Sequence, residues 1–293
     1  MTLQAAPGSI VVGVDGSPGS DLALDWAADV AAAERRPLTL LHGVDPAVVA
    51  GAGDYPGATV DHARLAEQIR LEDDAMMSSA ASRAHGRHPD LDVHPVLTRS
   101  DPRSALLDLS AQAAMVVIGS RGRGPVASLL LGSVGVAVAR HASCPVVVRR
   151  PGGRDADGVL VGVDGTAQSS PPVEFAYRVA ALRSVPLTVM HCRQDGTRGP
   201  AASGGSDPQE LGDERVLVAE SIAGMREKYP DVDVTVRLVH GSPAEELLSA
   251  AAGCGLLVVG HRRLSPVRSL VHGSVATTVV EHGTGPVAVV PSG

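Results

Sequence analysis

The stretch Ile10-Val-Val-Gly-Val-Asp-Gly-Ser17 returns almost unchanged as Leu160-Val-Gly-Val-Asp-Gly-Thr166. Each copy is a run of β-branched and small residues that ends at Asp-Gly, which predicts a buried strand leading into a turn. The aspartates Asp15 and Asp164 lie 149 residues apart. Solenoid repeats span only about 20 to 50 residues, so a repeat of this length indicates two complete domains in tandem.

Further along the chain, matching segments of the two halves follow in the same order but lie 141 instead of 149 residues apart. Gly132-Ser133 returns as Gly273-Ser274 after 141 residues, so the first half carries eight extra residues between its second and third strands. A run of turn-forming residues from Arg150 to Asp157 separates the halves. We therefore predict domains at residues 1–150 and 158–293.

Strand and helix patterns alternate in both halves. Leu22, Trp26 and Val30 recur every four residues, as on one face of a helix. The predicted strands of the first half are 9–14, 37–42, 92–97, 115–118 and 146–148, with further helices at 61–84 and from Asp101 to about Ala114; the second half repeats them with strands near Val159, Leu187, Val232, Leu256 and Val287. This alternation predicts an α/β fold made of two doubly wound, five-stranded parallel sheets. Such sheets bind ligands beyond the carboxyl ends of their strands, where the strand order reverses.

The composition argues against several classes of function. A net charge of -7 and an aromatic content of 2% argue against nucleic-acid binding, which needs clustered basic residues and stacking platforms. No apolar run approaches the roughly 20 residues of a membrane helix, and residues 1–9 lack a signal-peptide pattern, so we predict a cytoplasmic location. Cys144, Cys192 and Cys254 are far apart, which predicts buried inert thiols rather than disulfides or a metal site.

A glycine-rich segment follows the predicted strand 115–118. It reads Gly119-Ser-Arg-Gly122, nine further residues, and then Gly132-Ser133-Val134. A helix beginning at Ser133 would present free amides and a positive dipole end to an anion, and glycines let the backbone approach a phosphate. Arg121 and Arg123 would add charge at the rim. Viewed singly, each glycine is more often explained by a turn, and Ser133 by a helix cap, but the combination after a strand, with Asp15 beyond another strand end, favours an anion site.

This segment carries a known signature in full. The pattern G-x2-G-x9-G-[S/T] is typical of the ATP-binding branch of the universal stress protein family, and Gly119, Gly122, Gly132 and Ser133 match it. Three further segments are similar to that family: Val14-Asp-Gly-Ser17, His42-Gly-Val44 and Cys144-Pro-Val146. The chain therefore resembles a tandem universal stress protein over nearly its whole length, twice.

The resemblance implies ATP as the ligand and leaves open whether Mg²⁺ accompanies it. Asp15 would contact the ribose, with Gly13 and Val14 lining the nucleotide, and Val44 would meet adenine through its main chain. The remaining contacts would be made by Gly119 under the ribose or α-phosphate and by Gly122, Gly132, Ser133 and Val134 around the phosphates. An Asx turn in Asp-Gly-Ser accounts for Asp15 equally well.

The second half departs from the signature at two places. Arg263 stands where Gly122 stands in the first half, and Arg193 replaces Val44. At position 263 an arginine makes a positive φ costly and fills space, although its charge suits a polyphosphate. At position 193 it is harmless if only the main chain contacts adenine. The matching residues that would still contact nucleotide are Asp164, Gly260, Gly273, Ser274 and Val275. Our hypothesis is a second site that is weaker or binds differently.

Three functions stay open on the sequence. The resemblance implies a nucleotide-dependent regulator of stress response or growth. The alternatives are a slow ATPase or nucleotidyl-transferring enzyme of the same superfamily, and a dimerisation module that has lost its ligand. Lys228 is the sole lysine, which excludes a P-loop, and no residue is an evident general base, so we expect slow hydrolysis at most. His42 and His191 close equivalent strands and are predicted to be structural.

The resemblance also implies that the two halves pair with each other. The contact would involve their last strands, near Val146 and Val287, because exposed edge strands of this kind need covering. Association into a homodimer is left open by the sequence.

Overall fold

The computed structural model describes residues 3–44, 62–120, 131–151, 158–193, 208–262 and 275–292. The chain divides into two compact units, Met1–Arg150 and Pro151–Gly293. Within the described residues, no helix combines the length and the apolar character that crossing a bilayer requires.

The first unit alternates strands and helices around a parallel sheet. Its described elements are β1 (Ile10–Gly13), α1 (Pro18–Glu34), β2 (Leu38–Gly43), α2 (His62–Arg87), β3 (Val93–Thr98), α3 (Pro102–Ser110), β4 (Met115–Gly119), α4 (Ser133–His141) and β5 (Val146–Arg149). The strand order is β3-β2-β1-β4-β5, with every pair parallel. Since β1 pairs with both β2 and β4, the order reverses beside β1, which is where such sheets bind ligands.

The second unit repeats this plan. Its described elements are β6 (Val159–Val163), a 3₁₀ turn (Ala167–Ser169), α5 (Ser170–Arg183), β7 (Leu187–Arg193), α6 (Pro208–Ser221), α7 (Met225–Lys228), β8 (Val234–His240), α8 (Pro243–Ala251), β9 (Leu256–Arg262), α9 (Val275–His282) and β10 (Val287–Ser292). The order β10-β9-β6-β7-β8 is again wholly parallel. The predicted α/β class with a parallel sheet in each half is confirmed.

The central strand of the first unit is buried on both faces. Ile10, Val11 and Val12 of β1 are fully inaccessible, as are Ala23 and Ala27 of α1, which packs over the sheet. Burying each larger aliphatic side chain stabilises the fold by about 1.5–3 kcal/mol. Because small alanines bring α1 close to the sheet, its amino end lies next to the ends of β1 and β4.

The ends of α1 are defined by local chemistry. Ser17 is the N-cap, and its hydroxyl accepts a hydrogen bond from the Ser20 amide at 3.2 Å, with Pro18 in the first turn. The helix ends at Arg35, whose φ of 53° lets its amide return to the carbonyls of Ala31 and Ala32. These caps hold the turn between β1 and α1 at the carboxyl edge of the sheet.

The three cysteines are free thiols in different surroundings. Cys144 is buried, and burial raises the pKa of its thiol to about 12. Cys192 is partly buried; desolvation, together with the charge of Glu246, raises its pKa to about 11. Both thiols therefore stay protonated at neutral pH. The prediction that the cysteines are buried is right for Cys144 and wrong for Cys192 and Cys254, which are partly exposed.

Candidate functional site

The turn after β1 holds a carboxylate at the edge of the sheet. The Ser17 amide donates to Oδ1 of Asp15 at 3.0 Å, and Gly16 has a φ of 73°. This is the Asx turn that the sequence allowed. The turn fixes Asp15, partly exposed, directly beyond the carboxyl end of β1.

A buried histidine connects β1, β2 and α2. Nδ1 of His42 lies 2.7 Å from the Val14 carbonyl oxygen, and Nε2 lies 3.2 Å from Oδ1 of Asp73. Both partners are acceptors, so the ring makes both hydrogen bonds together only when both of its nitrogens carry protons. His42 is 7% exposed and is hydrogen-bonded within the fold, as the sequence predicts for a structural histidine.

The end of β2 presents a main-chain carbonyl. The Val44 amide donates to the Thr98 carbonyl at 2.9 Å, while the Val44 carbonyl accepts no backbone hydrogen bond from any residue that the structure describes. A ligand that meets the main chain of Val44 would therefore find an acceptor. Contact with the Val44 amide, which the resemblance also allowed, would require the bond to Thr98 to open.

The end of β4 is packed against the first turn of α1. A Cβ atom on Gly119 would lie 2.6 Å from the carbonyl carbon of Gly19 and 2.7 Å from its oxygen. These are backbone atoms that cannot move aside. Glycine at 119 is therefore required by the fold itself, a reason that the sequence did not reveal.

The amino end of α4 differs from that of α1. The helix begins at Ser133, as predicted, but its N-cap is Gly132, which has no side chain to bond the first amides. The amides of Ser133, Val134 and Gly135 make no hydrogen bond within the described part of the chain. An α-helix carries about half a positive charge at this end, and amides of this kind are the groups that proteins use to bind anions.

No packing contact with a described residue requires glycine at position 132. A Cβ atom there would meet only the Ser120 carbonyl oxygen, at 4.0 Å, among the described residues. The Gly132 amide donates to that same oxygen at 3.0 Å, which ties the start of α4 to the end of β4. The backbone around Gly132 is thus held in place, and no described residue fills the space on its outer side. Arg121 and Gly122, the other predicted members of this loop, lie outside the described residues.

The strand ends of the first unit come together at one point. Val12 of β1 is in register with Val117 of β4, and a Cβ atom on Gly13 would contact Ile118 at 3.4 Å. The fold therefore gathers the ends of β1, β2 and β4 and the amino end of α4 where the strand order reverses. The predicted site residues found there are Gly13, Val14, Asp15, Val44, Gly119, Gly132, Ser133 and Val134.

The matching aspartate of the second unit, Asp164, accepts a larger set of hydrogen bonds than Asp15 does among those that the structure describes. Oδ1 of Asp164 accepts hydrogen bonds from the Thr166 amide at 3.0 Å, the Thr166 hydroxyl at 2.7 Å and the Ser169 hydroxyl at 2.8 Å. His191 repeats one bond of His42, with Nδ1 2.9 Å from the Val163 carbonyl oxygen. The turn after β6 is therefore built around its carboxylate.

The end of β7 differs most from its counterpart in the first unit. Nη1 of Arg193 lies 3.1 Å from Oε1 of Glu214 on α6, and the Arg193 carbonyl accepts the Gly241 amide at 3.0 Å. A Cβ atom on Gly260 would lie 3.0 Å from the Ser292 hydroxyl oxygen, so this position is also tight. Val275 begins α9, whereas Arg263, Gly273 and Ser274 lie outside the described residues.

Comparison with known proteins supplies the family. A family model described as the universal stress protein family matches residues 8–150 and again residues 157–291. The chain belongs to the universal stress protein family. It is 34% identical over 297 residues to a universal stress protein of Mycolicibacterium smegmatis, covering 99% of each chain. It is 33% identical to one of Mycobacterium tuberculosis, covering 96% of this chain and 95% of that one.

A solved structure has the same fold over the whole chain. The crystal structure of a universal stress protein from Archaeoglobus fulgidus superposes with a TM-score of 0.72, at 18% identity, and covers 98% of this chain and 99% of that one. The family resemblance predicted from the sequence motifs is confirmed. The two matches of the family model correspond to the two units of the fold.

Sequence reasoning missed three residues around the site of this universal stress protein. Asp73 and Glu214 lie on helices, far along the chain from the residues that they bond, His42 and Arg193. Ser120 accepts a hydrogen bond through its main-chain carbonyl, which any residue type provides. One signal was available, because Glu214 lies 141 residues after Asp73 and so occupies the matching position of the repeat. Among the residues that the structure describes, no cluster of three or more His, Cys, Asp or Glu side chains could hold a metal ion.

Proposed function

We propose that the first unit of this universal stress protein binds ATP, and that the chain is a nucleotide-dependent regulator of stress response or growth. The observation that carries the proposal is the amino end of α4, where three amides without a hydrogen-bond partner among the described residues face the carboxyl edge of the sheet. Such an arrangement binds phosphate groups without any special side chain.

The residues present fit the phosphate end of a nucleotide. Gly132 lacks a described neighbour that would explain a glycine, so its role is the close approach of a ligand to the backbone. The amides of Ser133 and Val134 would donate to phosphate oxygens, and the exposed Ser133 hydroxyl would add a further donor. The fold holds this segment through the bond from Gly132 to Ser120, so the donors are positioned before the ligand arrives.

The remaining contacts fit an adenosine group. Asp15 stands at a strand end, where a carboxylate can accept hydrogen bonds from ribose hydroxyls. The Val44 carbonyl is an acceptor for the exocyclic amino group of adenine. Both would lie at the same edge of the sheet as the amides of α4, so one extended ligand would reach all three.

A regulatory role fits this chemistry better than an enzymatic one. Main-chain amides bind and orient phosphates, but they cannot take a proton from an attacking water, which is the task of a general base. ATP would stabilise the arrangement of α4, β1 and β2, and this stabilised surface would be read by a partner. Mg²⁺ would enter with the phosphates of ATP.

A charge substitution at Gly132 tests the proposal. Gly132→Asp places a carboxylate where the phosphates would bind, in space that no described residue fills. We expect the affinity for Mg²⁺-ATP, measured by titration calorimetry, to fall by at least tenfold, since hydrogen bonds to charged groups contribute about 1.5–3 kcal/mol. Gly253→Asp is the matched control, because a Cβ atom on Gly253 also meets open space, in a surface turn of the second unit. Equal affinity in Gly132→Asp and wild type would refute the phosphate site.

A further inference from the structure

We infer that recognition of the nucleobase is confined to the first unit, because Gly241, Arg193 and Glu214 close the equivalent position in the second. The inference rests on the proposed function of the first unit. It assigns the difference between the two units to named residues outside the phosphate loop.

The two units differ at the main-chain carbonyl that would accept the adenine amino group. In the first unit, the Val44 carbonyl accepts no backbone hydrogen bond within the described residues. In the second unit, the carbonyl of the matching Arg193 accepts the Gly241 amide at 3.0 Å. An amino group on a base would have to compete with a bond that is already made within the sheet edge.

The backbone of Gly241 makes this closure possible. Its φ is 142°, a conformation that residues with a side chain rarely adopt, and a Cβ atom there would lie 2.9 Å from Oε1 of Glu246. Pairing of β7 with β8 consequently continues to Arg193 and His240, whereas β2 and β3 stop pairing at Gly43 and Thr98. Ser100 stands at the position of Gly241 in the first unit, and its amide makes no such bond among the described residues.

The side chains around this carbonyl also differ between the two units. Arg193 is paired with Glu214 at 3.1 Å, and the side chains are 28% and 12% exposed. In the first unit the corresponding carboxylate, Asp73, is bonded instead to His42, and the corresponding strand-end residue is the smaller Val44. A planar base entering the second unit would meet a long, ion-paired side chain in place of a valine.

A further difference lies at Asp164, the carboxylate that would contact the ribose in the second unit. One oxygen of Asp164 already accepts three hydrogen bonds, from Thr166 and Ser169. Ribose hydroxyls would have to displace some of these donors to reach that oxygen. In the second unit the base contact is thus closed off and one of the two carboxylate oxygens of Asp164 is already in use, independently of Arg263 in its phosphate loop.

Photolabelling with 8-azido-ATP tests the inference, because the azide reacts with whatever surrounds the adenine ring. The full chain is irradiated with the probe, with and without excess ATP, and labelled peptides are mapped by mass spectrometry. We expect adducts that ATP suppresses to form in the first unit in at least tenfold excess over the second. Comparable ATP-suppressed labelling near Arg193 or Gly241 would overturn the inference and leave the proposed function standing. Absence of suppressible labelling from both units would instead refute the proposed function.

A second measurement examines the closure directly, without ligand. Hydrogen exchange of single amides is followed by NMR in the free protein. Because it donates to Arg193, the Gly241 amide should exchange at least tenfold more slowly than the Ser100 amide, each rate being corrected for its sequence context. Equal corrected rates would overturn the assignment of Gly241 as the residue that closes the second unit.

Discussion

At the scale of single residues, two glycines of one motif are glycine for different reasons. Gly119 lies under the backbone of Gly19, where a Cβ atom would approach to 2.6 Å, so the packing of α1 on β4 requires it. Gly132 has no comparable neighbour among the described residues. A change at Gly132 therefore reports on ligand binding alone, whereas a change at Gly119 reports on both ligand binding and folding.

We predict opposite outcomes for the two alanine substitutions. Gly119→Ala should lower the free energy of unfolding of the first unit by about 1–3 kcal/mol, the usual cost of forcing extra atoms into a packed core. Gly132→Ala should leave it within about 0.5 kcal/mol of wild type, since no described atom lies closer than 4.0 Å to its Cβ position. Denaturant unfolding measures both. A Gly119→Ala variant as stable as wild type would show that α1 and β4 are not in contact as described.

At the scale of elements, the sequence located the strands well because aliphatic runs are their strongest signal. The strand predicted at 115–118 is observed at Met115–Gly119, and the helix predicted at 61–84 is observed at His62–Arg87. The predicted helix from Asp101 to Ala114 was too long: it ends at Ser110. Residues 111–114 favour a helix locally, but the Ala114 amide bonds to the Ser9 carbonyl so that β4 can join β1, a contact between distant parts of the chain.

In the candidate site, too, local patterns were predicted from the sequence and contacts between distant residues were not. The glycine signature and the aspartate after β1 were readable because each is a short local pattern. The bond from His42 to Asp73, the ion pair of Arg193 with Glu214 and the closure by Gly241 join residues brought together by the fold. Local sequence carries no information on such pairs, so the asymmetry between the units emerged from the structure.

A ladder of ion pairs joins α1 to α2 and makes part of the stability depend on pH. Arg83 pairs with Asp25 at 2.6 Å, and Asp29 accepts from Arg87 at 2.7 Å and from His88 at 2.8 Å. Burial raises the pKa of Asp29, but the hydrogen bonds and charges of Arg87 and His88 outweigh it and hold the pKa below its ordinary value of 3.8. The ladder therefore contributes stability above the ordinary pKa and loses it as the pH falls through the lowered one.

Asp29→Asn should weaken this dependence on acid. Between about pH 5 and pH 3, the free energy of unfolding of the variant should fall less steeply than that of wild type. The difference should stay below about 1 kcal/mol, because the Asp29 side chain is 38% exposed and solvent screens its charge. Denaturant unfolding at a series of pH values measures it, with Asp90→Asn, an exposed carboxylate outside any ion pair of the described residues, as control. Identical slopes in Asp29→Asn and wild type would contradict the role of the ladder.

At the scale of the whole molecule, the same fold occurs twice, and the two copies differ at the carboxyl ends of their strands. Both units keep the strand order, the histidine near the end of the second strand and the aspartate after the first. They differ at the end of the second strand of each unit. Within the described residues, the Val44 carbonyl of the first unit accepts no backbone hydrogen bond, whereas the Arg193 carbonyl of the second accepts the Gly241 amide. The pairing of the halves through their last strands and the cytoplasmic location stay predictions from the sequence.

A crystal structure of the full chain grown with excess Mg²⁺-ATP is the most direct test of nucleotide binding by the first unit. We predict phosphate oxygens within about 3 Å of the Ser133 and Val134 amides, the usual hydrogen-bond distance, with the adenine amino group facing the Val44 carbonyl. ATP bound elsewhere on the chain, or protein side chains filling the space beside Gly132 in the presence of saturating ATP, would contradict the account.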